Sequence, residues 1–219
     1  MVNPVKTAPR RTVTVILYEG FEILDAFGPV ELFGHVPGWT VEFAGVSAKR
    51  LVRSAQGAQV QTDVSFTDLR DRQGGIDVVM IPGGFGNRTL IHDSVFLGDI
   101  AAICQCASVV TSVCTGSAVL TAAGVLDGRR ATSNKKAWAW ITSQREQVDW
   151  VPQARWVVDD DAEIPVWTSS GVAAGMDMAH ALVTALAGAS IAEEIADNIE
   201  LEVHRDPTWD PFAAVHGAV

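Results

Sequence analysis

Residues 108–124, SVVTSVCTGSAVLTAAG, carry a β-branched apolar run straight into Cys114, with a small-residue helical stretch directly behind it. The pattern is a strand, a sharp turn with a thiol at its apex, and a helix, which is the character of a nucleophile elbow. Such a turn lifts Cys114 clear of a sheet and aims the N–H groups of Thr115 and Gly116, with the helix dipole, at the sulfur, favouring thiolate. The competing reading is that Cys114 only fills the core, since free cysteine is among the most buried residue types.

Working outward, TVTVILY (12–18), WTVEFAGVS (39–47) and IDVVMIP (76–82) are, like SVVTSV (108–113), near-continuously apolar. Continuous rather than alternating apolarity predicts strands covered on both faces, hence an α/β fold with a mostly parallel sheet flanked by helices. Helical spacing falls at 22–35, 94–106, 115–123, 136–144, 171–187 and 190–203, with Ser94 and Ser190 as candidate N-caps. LVRSAQGAQVQTDVSF alternates around Gly57 and reads as a β-hairpin appended to the sheet. RWVVDDDAEIPVWTSS reads as two short strands about an acidic turn at 159–163. No linker or repeat divides the chain, so residues 12–219 are expected to form one domain behind a flexible arm at 1–11.

The 219 residues are 48% hydrophobic and 19% charged, with a formal charge of −10. That balance excludes a phosphate-tracking surface, because nucleic-acid binding leans on Lys and Arg. The leader MVNPVKTAPRR lacks the apolar core of a signal peptide, and the apolar stretch 171–192 is interrupted by Asp177 and His180, so neither secretion nor a membrane span is expected and the reading is cytoplasmic. Cys104, Cys106 and Cys114 lack the spacing of a zinc site, so no metal is expected; Cys104 and Cys106 are expected to pack beneath the sheet.

In open parallel sheets ligands gather at the carboxyl ends of strands, and EGFEILD, PGGFGN and CTGS all fall there. Gly83 and Gly84 can expose backbone N–H groups to a developing negative charge, and Asp25, among Leu24, Ala26 and Phe27, is placed where desolvation raises a carboxyl pKa. Glu22 remains a second candidate for the partner carboxylate. Trp138, Trp140, Trp167 and Met176 suit either core packing or an apolar pocket wall.

Together LYEGFEILDAFGPVELF, IDVVMIPGGFG, VVTSVCTGSAVLTAAGVLDGRRATSN and WTSSGVAAGMDMA resemble the ThiJ/PfpI superfamily over about residues 12–203. In LD-x-x-GP with SVCTGS the chain is most similar to the isonitrile hydratase branch and the amidase-like domain of AraC-type regulators. The resemblance implies a flavodoxin-like three-layer sandwich, Cys114 as nucleophile, Asp25 as its carboxylate partner, Thr115 as an adjacent polar group, and Gly83 and Gly84 in the backbone nest. Gly116, Asn134 and Gly171 are carried as further substrate-contacting or oxyanion-binding positions. Relatives commonly have a histidine where this chain has Thr115, and another where it has Asn134, so no local Cys–His dyad exists. The implied activity is cofactor-free hydration of a small-molecule isonitrile to an N-substituted formamide, with Cys114 attacking the terminal carbon and Asp25 protonating the adjoining atom. A glyoxalase or deglycase acting on small dicarbonyls and a non-enzymatic cysteine redox sensor are the alternatives. A homodimer is expected from the resemblance.

Overall fold

The computed structural model describes residues 8–218; most of the expected N-terminal arm, residues 1–7, lies outside the described residues, and the first strand already begins at Arg11. The strands are β1 (Arg11–Ile16), β2 (Trp39–Gly45), β3 (Leu51–Arg53), β4 (Gln59–Gln61), β5 (Val64–Ser65), β6 (Ile76–Ile81), β7 (Ala107–Ser112), β8 (Arg130–Ala131), β9 (Asp149–Trp150), β10 (Trp156–Asp159) and β11 (Val166–Ser169). The helices are α1 (Ile23–His35), α2 (Phe66–Arg70), α3 (Asn87–Leu90), α4 (Ser94–Gln105), α5 (Gly116–Ala122), α6 (Trp138–Thr142), α7 (Ala174–Ala187), α8 (Ala189–Asn198) and α9 (Pro211–Val215).

Seven strands form the central sheet in the order β10-β11-β7-β6-β1-β2-β5, all parallel except β10. The apolar runs explain this: Val13, Val15, Val78, Val79, Met80 and Val110 are buried because helices cover both faces. Each such side chain contributes about 1.5–3 kcal/mol of burial. Helices α1, α7 and α8 pack together in one layer, and α2, α3, α4 and α5 in the other. The chain winds from β1 to β2 on one side and places β6 on the other, so the carboxyl ends of β1, β6 and β7 open side by side at the switch point where ligands bind in such sheets.

Three local expectations are corrected. The hairpin β3–β4 forms its own two-stranded sheet instead of extending the central one; Ser54 at its turn bridges to Phe21 beside the β1 loop, and only the following β5 joins the main sheet. The α4 cap is Asp93, whose carboxylate accepts from the N–H groups of Val95 and Phe96, and Ser94 is already helical. Helix α8 follows α7 through Gly188 at φ 101°, a left-handed turn that ends one helix and starts the next and puts Ser190 inside it.

Candidate functional site

Cys114 sits at φ 58°, a left-handed conformation that L-residues avoid at a cost of about 1–2 kcal/mol. The surrounding peptide is held on both sides. Its N–H donates to Ser170 O at 2.9 Å, while its carbonyl accepts from Ser133 Oγ at 2.9 Å and Ser117 Oγ at 3.3 Å. The elbow expected from the sequence is therefore present, with Gly116 starting α5. A Cβ on Gly116 would collide with the carbonyl oxygen of Ile81, so glycine here lets the helix approach β6.

The sulfur does not face open solvent. Cys114 is only 6% exposed and lies on the floor of a cavity of about 420 Å³, whose walls include Glu22, Phe85, Arg88, Asn134 and Lys136. The Thr115 N–H and the Asn134 amide point at the sulfur, Asn134 Nδ2 at 3.1 Å, and both favour thiolate. Burial and the neighbouring Asp25 charge act the other way and win, holding the thiol well above its usual pKa. The expectation of a resting thiolate is thus corrected. Helix-terminus effects are worth about 0.3–1 kcal/mol, whereas desolvating an ion costs several. The Gly116 N–H expected to assist is bound to Val113 O at 2.9 Å.

Asp25, in the first turn of α1, is fully buried. Its Oδ2 accepts the Gly83 N–H at 2.9 Å, and its Oδ1 is buried with no nitrogen or oxygen partner. Desolvation raises its pKa from 3.8 to about 7, helped by the Glu22 charge and opposed by the Gly83 N–H and a hydrogen bond from Cys114. Glu22, the other candidate, accepts from Gln56 Nε2 at 2.7 Å. Asp25 is the carboxyl that meets the thiol.

The glycine loop after β6 does something other than expected. The Gly83 N–H is used by Asp25, and the Gly84 N–H donates to Thr115 Oγ1 at 3.0 Å, so neither is free to receive an oxyanion. A Cβ on Gly83 would stand 2.6 Å from Thr115 Oγ1 and 2.7 Å from Asp25 Oδ2, which is why this position tolerates only glycine. The loop aligns the acid and the elbow. Asn87, fully buried, completes the clasp by donating Nδ2 to Thr115 O at 2.7 Å and Oγ1 at 2.8 Å. In the sequence the signal of Asn87 is slight, a polar residue directly after the glycine loop PGGFG.

Asn134 is oriented from behind. Its Oδ1 accepts the Ala137 N–H at 3.0 Å, which fixes the amide and turns Nδ2 to the sulfur. Gly171 stands beside it, with room for a Cβ only 3.2 Å from that nitrogen. No histidine lines this cavity among the described residues. The tryptophans do not line it either; Trp138 packs edge-on against Trp150, and Trp140 lies under the Arg88 guanidinium. Cys104 is buried with its thiol pushed up to about 12, whereas Cys106 is exposed at the end of α4, against the expectation that both pack inside. Among the described residues no group of three or more His, Cys, Asp or Glu side chains could hold a metal, and no helix is long and apolar enough to cross a membrane.

The chain and its fold have counterparts among known proteins. The chain is 32% identical to the isonitrile hydratase of Pseudomonas putida over 195 residues, covering 89% of this chain and 79% of that protein. A ThiJ/PfpI family protein of Pseudomonas syringae superposes with a TM-score of 0.76 at 28% identity, over 92% of this chain and 79% of that one. An AraC family transcriptional regulator of Pseudomonas putida shares the fold, with a TM-score of 0.67 at 19% identity over 87% of this chain and all of that one, 100%. The pattern of the DJ-1/PfpI family matches residues 11–185, and with the elbow and its acid in place the chain belongs to that family.

Proposed function

We propose that the protein is a lyase that hydrates an isonitrile to an N-substituted formamide, with Cys114 as nucleophile and Asp25 as acid and base. The observation that carries the reading is the unpartnered Oδ1 of a carboxyl titrating at about 7, buried against a thiol with no imidazole in the cavity. Similarity to the Pseudomonas putida isonitrile hydratase supports it.

As pH rises through about 7 the pair comes to hold one negative charge, resting mainly as Asp25 carboxylate and Cys114 thiol. Asp25 takes the thiol proton as the Sγ–C bond forms at the terminal carbon of R–N≡C. The proton then passes to that same carbon, giving the thioimidate R–N=CH–S. Water adds across C=N, oxygen to carbon and hydrogen to nitrogen; the C–S bond breaks and the hydroxyl proton returns to sulfur through Asp25. The sum, R–NC + H₂O → R–NH–CHO, is redox neutral and requires no cofactor. Asn134 Nδ2 stabilises the sulfur whenever it carries charge.

Incubating the protein with cyclohexyl or aryl isonitriles is expected to yield the formamide, and Cys114→Ala is expected to yield none. No formamide from the native chain, or full turnover by Cys114→Ala, overturns the proposal. Cys114-dependent lactate from methylglyoxal in the parallel assay would replace it with dicarbonyl chemistry.

A further inference from the structure

The geometry points to a substrate that carries an anionic group, of the carboxylate class, held by Arg88 and Lys136 at the mouth of the Cys114 cavity; this rests on Cys114 being the reacting atom. The chain has a formal charge of −10, and many of its arginines are neutralised in ion pairs such as Arg70–Asp99, Arg72–Glu42 and Arg145–Asp127. Neither Arg88 nor Lys136 belongs to any ion pair among the described residues, and both line the same cavity. They belong to different elements, Arg88 to α3 and Lys136 to the turn before α6, so the fold brings them there together.

The Arg88 guanidinium lies 4.1 Å from the centroid of the Trp140 ring. Stacking fixes the plane of the guanidinium and leaves its N–H edge open for a planar, bidentate acceptor. The cavity also has an acidic side: Glu22, tied to Gln56, lines it, and Asp25 interacts with both Glu22 and Cys114. A negative group is repelled from that side and drawn to the cations, which leaves the other end of the ligand against the sulfur. Charge thereby sets the direction in which a substrate enters.

The test compares alkylation of Cys114 by anionic iodoacetate and neutral iodoacetamide, reagents of similar size, with rates resolved by peptide mapping. Exposed Cys106 serves as the reference in the same molecule. The iodoacetate-to-iodoacetamide rate ratio is expected to be higher at Cys114 than at Cys106 and to fall with added salt. It is expected to drop about tenfold in Arg88→Gln/Lys136→Gln. Arg10→Gln, which removes an exposed cation at the far end of the sheet, controls for net charge and should leave the ratio where it was.

A ratio unmoved in the double variant overturns the inference. If neither reagent reaches Cys114, thermal stabilisation by benzoate against benzamide decides: stabilisation specific to benzoate and lost in the double variant supports the site, and none overturns it. Neither measurement involves isonitrile chemistry. A fallen ratio with no formamide would keep the anion site and discard hydration, whereas formamide with an unmoved ratio would do the reverse.

Discussion

Asp25 and Asp177 occupy equivalent places in two helices that pack against each other: each lies in the first turn, of α1 and α7, and each is buried, at 0% and 4% exposure. Their surroundings differ. Asp177 Oδ2 accepts Arg155 Nε at 2.7 Å and lies 2.6 Å from Arg155 Nη2, while Oδ1 accepts the His204 N–H at 2.8 Å. Arg155 also donates its backbone N–H to Pro207 O, so the pair anchors the segment leading to α9. Asp25 has one amide, no cation and a thiol. A buried carboxylate with both oxygens answered is a tie between segments. One left short of partners, beside a thiol on strained backbone, holds its proton tightly enough to keep it up to neutral pH.

The comparison can be broken first at the chemistry. Cys114→Ala should remove formamide production altogether, a loss on the order of 10³-fold or more, and Asp25→Asn should lose about 10²–10⁴-fold in kcat. In the native chain kcat/KM should rise with pH through about 7, as Asp25 becomes able to take the thiol proton, and this inflection should vanish in Asp25→Asn. A retained inflection would assign the titration to another group.

Stability should then move in opposite directions at the two carboxylates. Arg155→Met strands the Asp177 charge and is expected to cost about 3–5 kcal/mol, read as a lower Tm. Asp25 binds its proton more tightly folded than unfolded, so its stability contribution is fullest below about 4 and is lost as pH rises through about 7. Asp25→Asn escapes that loss and still accepts from Gly83. It should match the native stability at pH 4 and exceed it at pH 8, by about 1–3 kcal/mol. Equal shifts at both pH values would show that ionisation is not the cause. The smallest effect is at Asn134→Leu, which removes the amide on the sulfur and should lower kcat about tenfold, about 1.4 kcal/mol, with little change in Tm.

Much of this architecture is legible in the sequence because it is written in contiguous residues. The four apolar runs, the break at Cys114 and an aspartate among Leu24, Ala26 and Phe27 are local facts. Partners chosen only when distant loops close are not. Gly83 and Gly84 look like free donors in sequence, but the chain 58 residues earlier supplies Asp25 and the elbow 31 residues later supplies Thr115. The resting proton likewise escapes local reading: the elbow argues for thiolate, and the burial that argues for thiol exists only in the packed molecule. Asn87, Arg88 and Lys136 belong to segments whose convergence depends on where α3 and α6 come to rest. Asp93 took the cap from Ser94 because a charged carboxylate accepts two N–H groups at once.

Whether Asp25 keeps its proton up to neutrality beside Cys114 can be read from its carboxyl signal, followed against pH by carbon NMR and identified by its absence in Asp25→Asn. A midpoint near 7 is expected, moving upward in Cys114→Ala, where the hydrogen bond favouring the carboxylate is gone. A midpoint near 4, unmoved by removal of the sulfur, would contradict it.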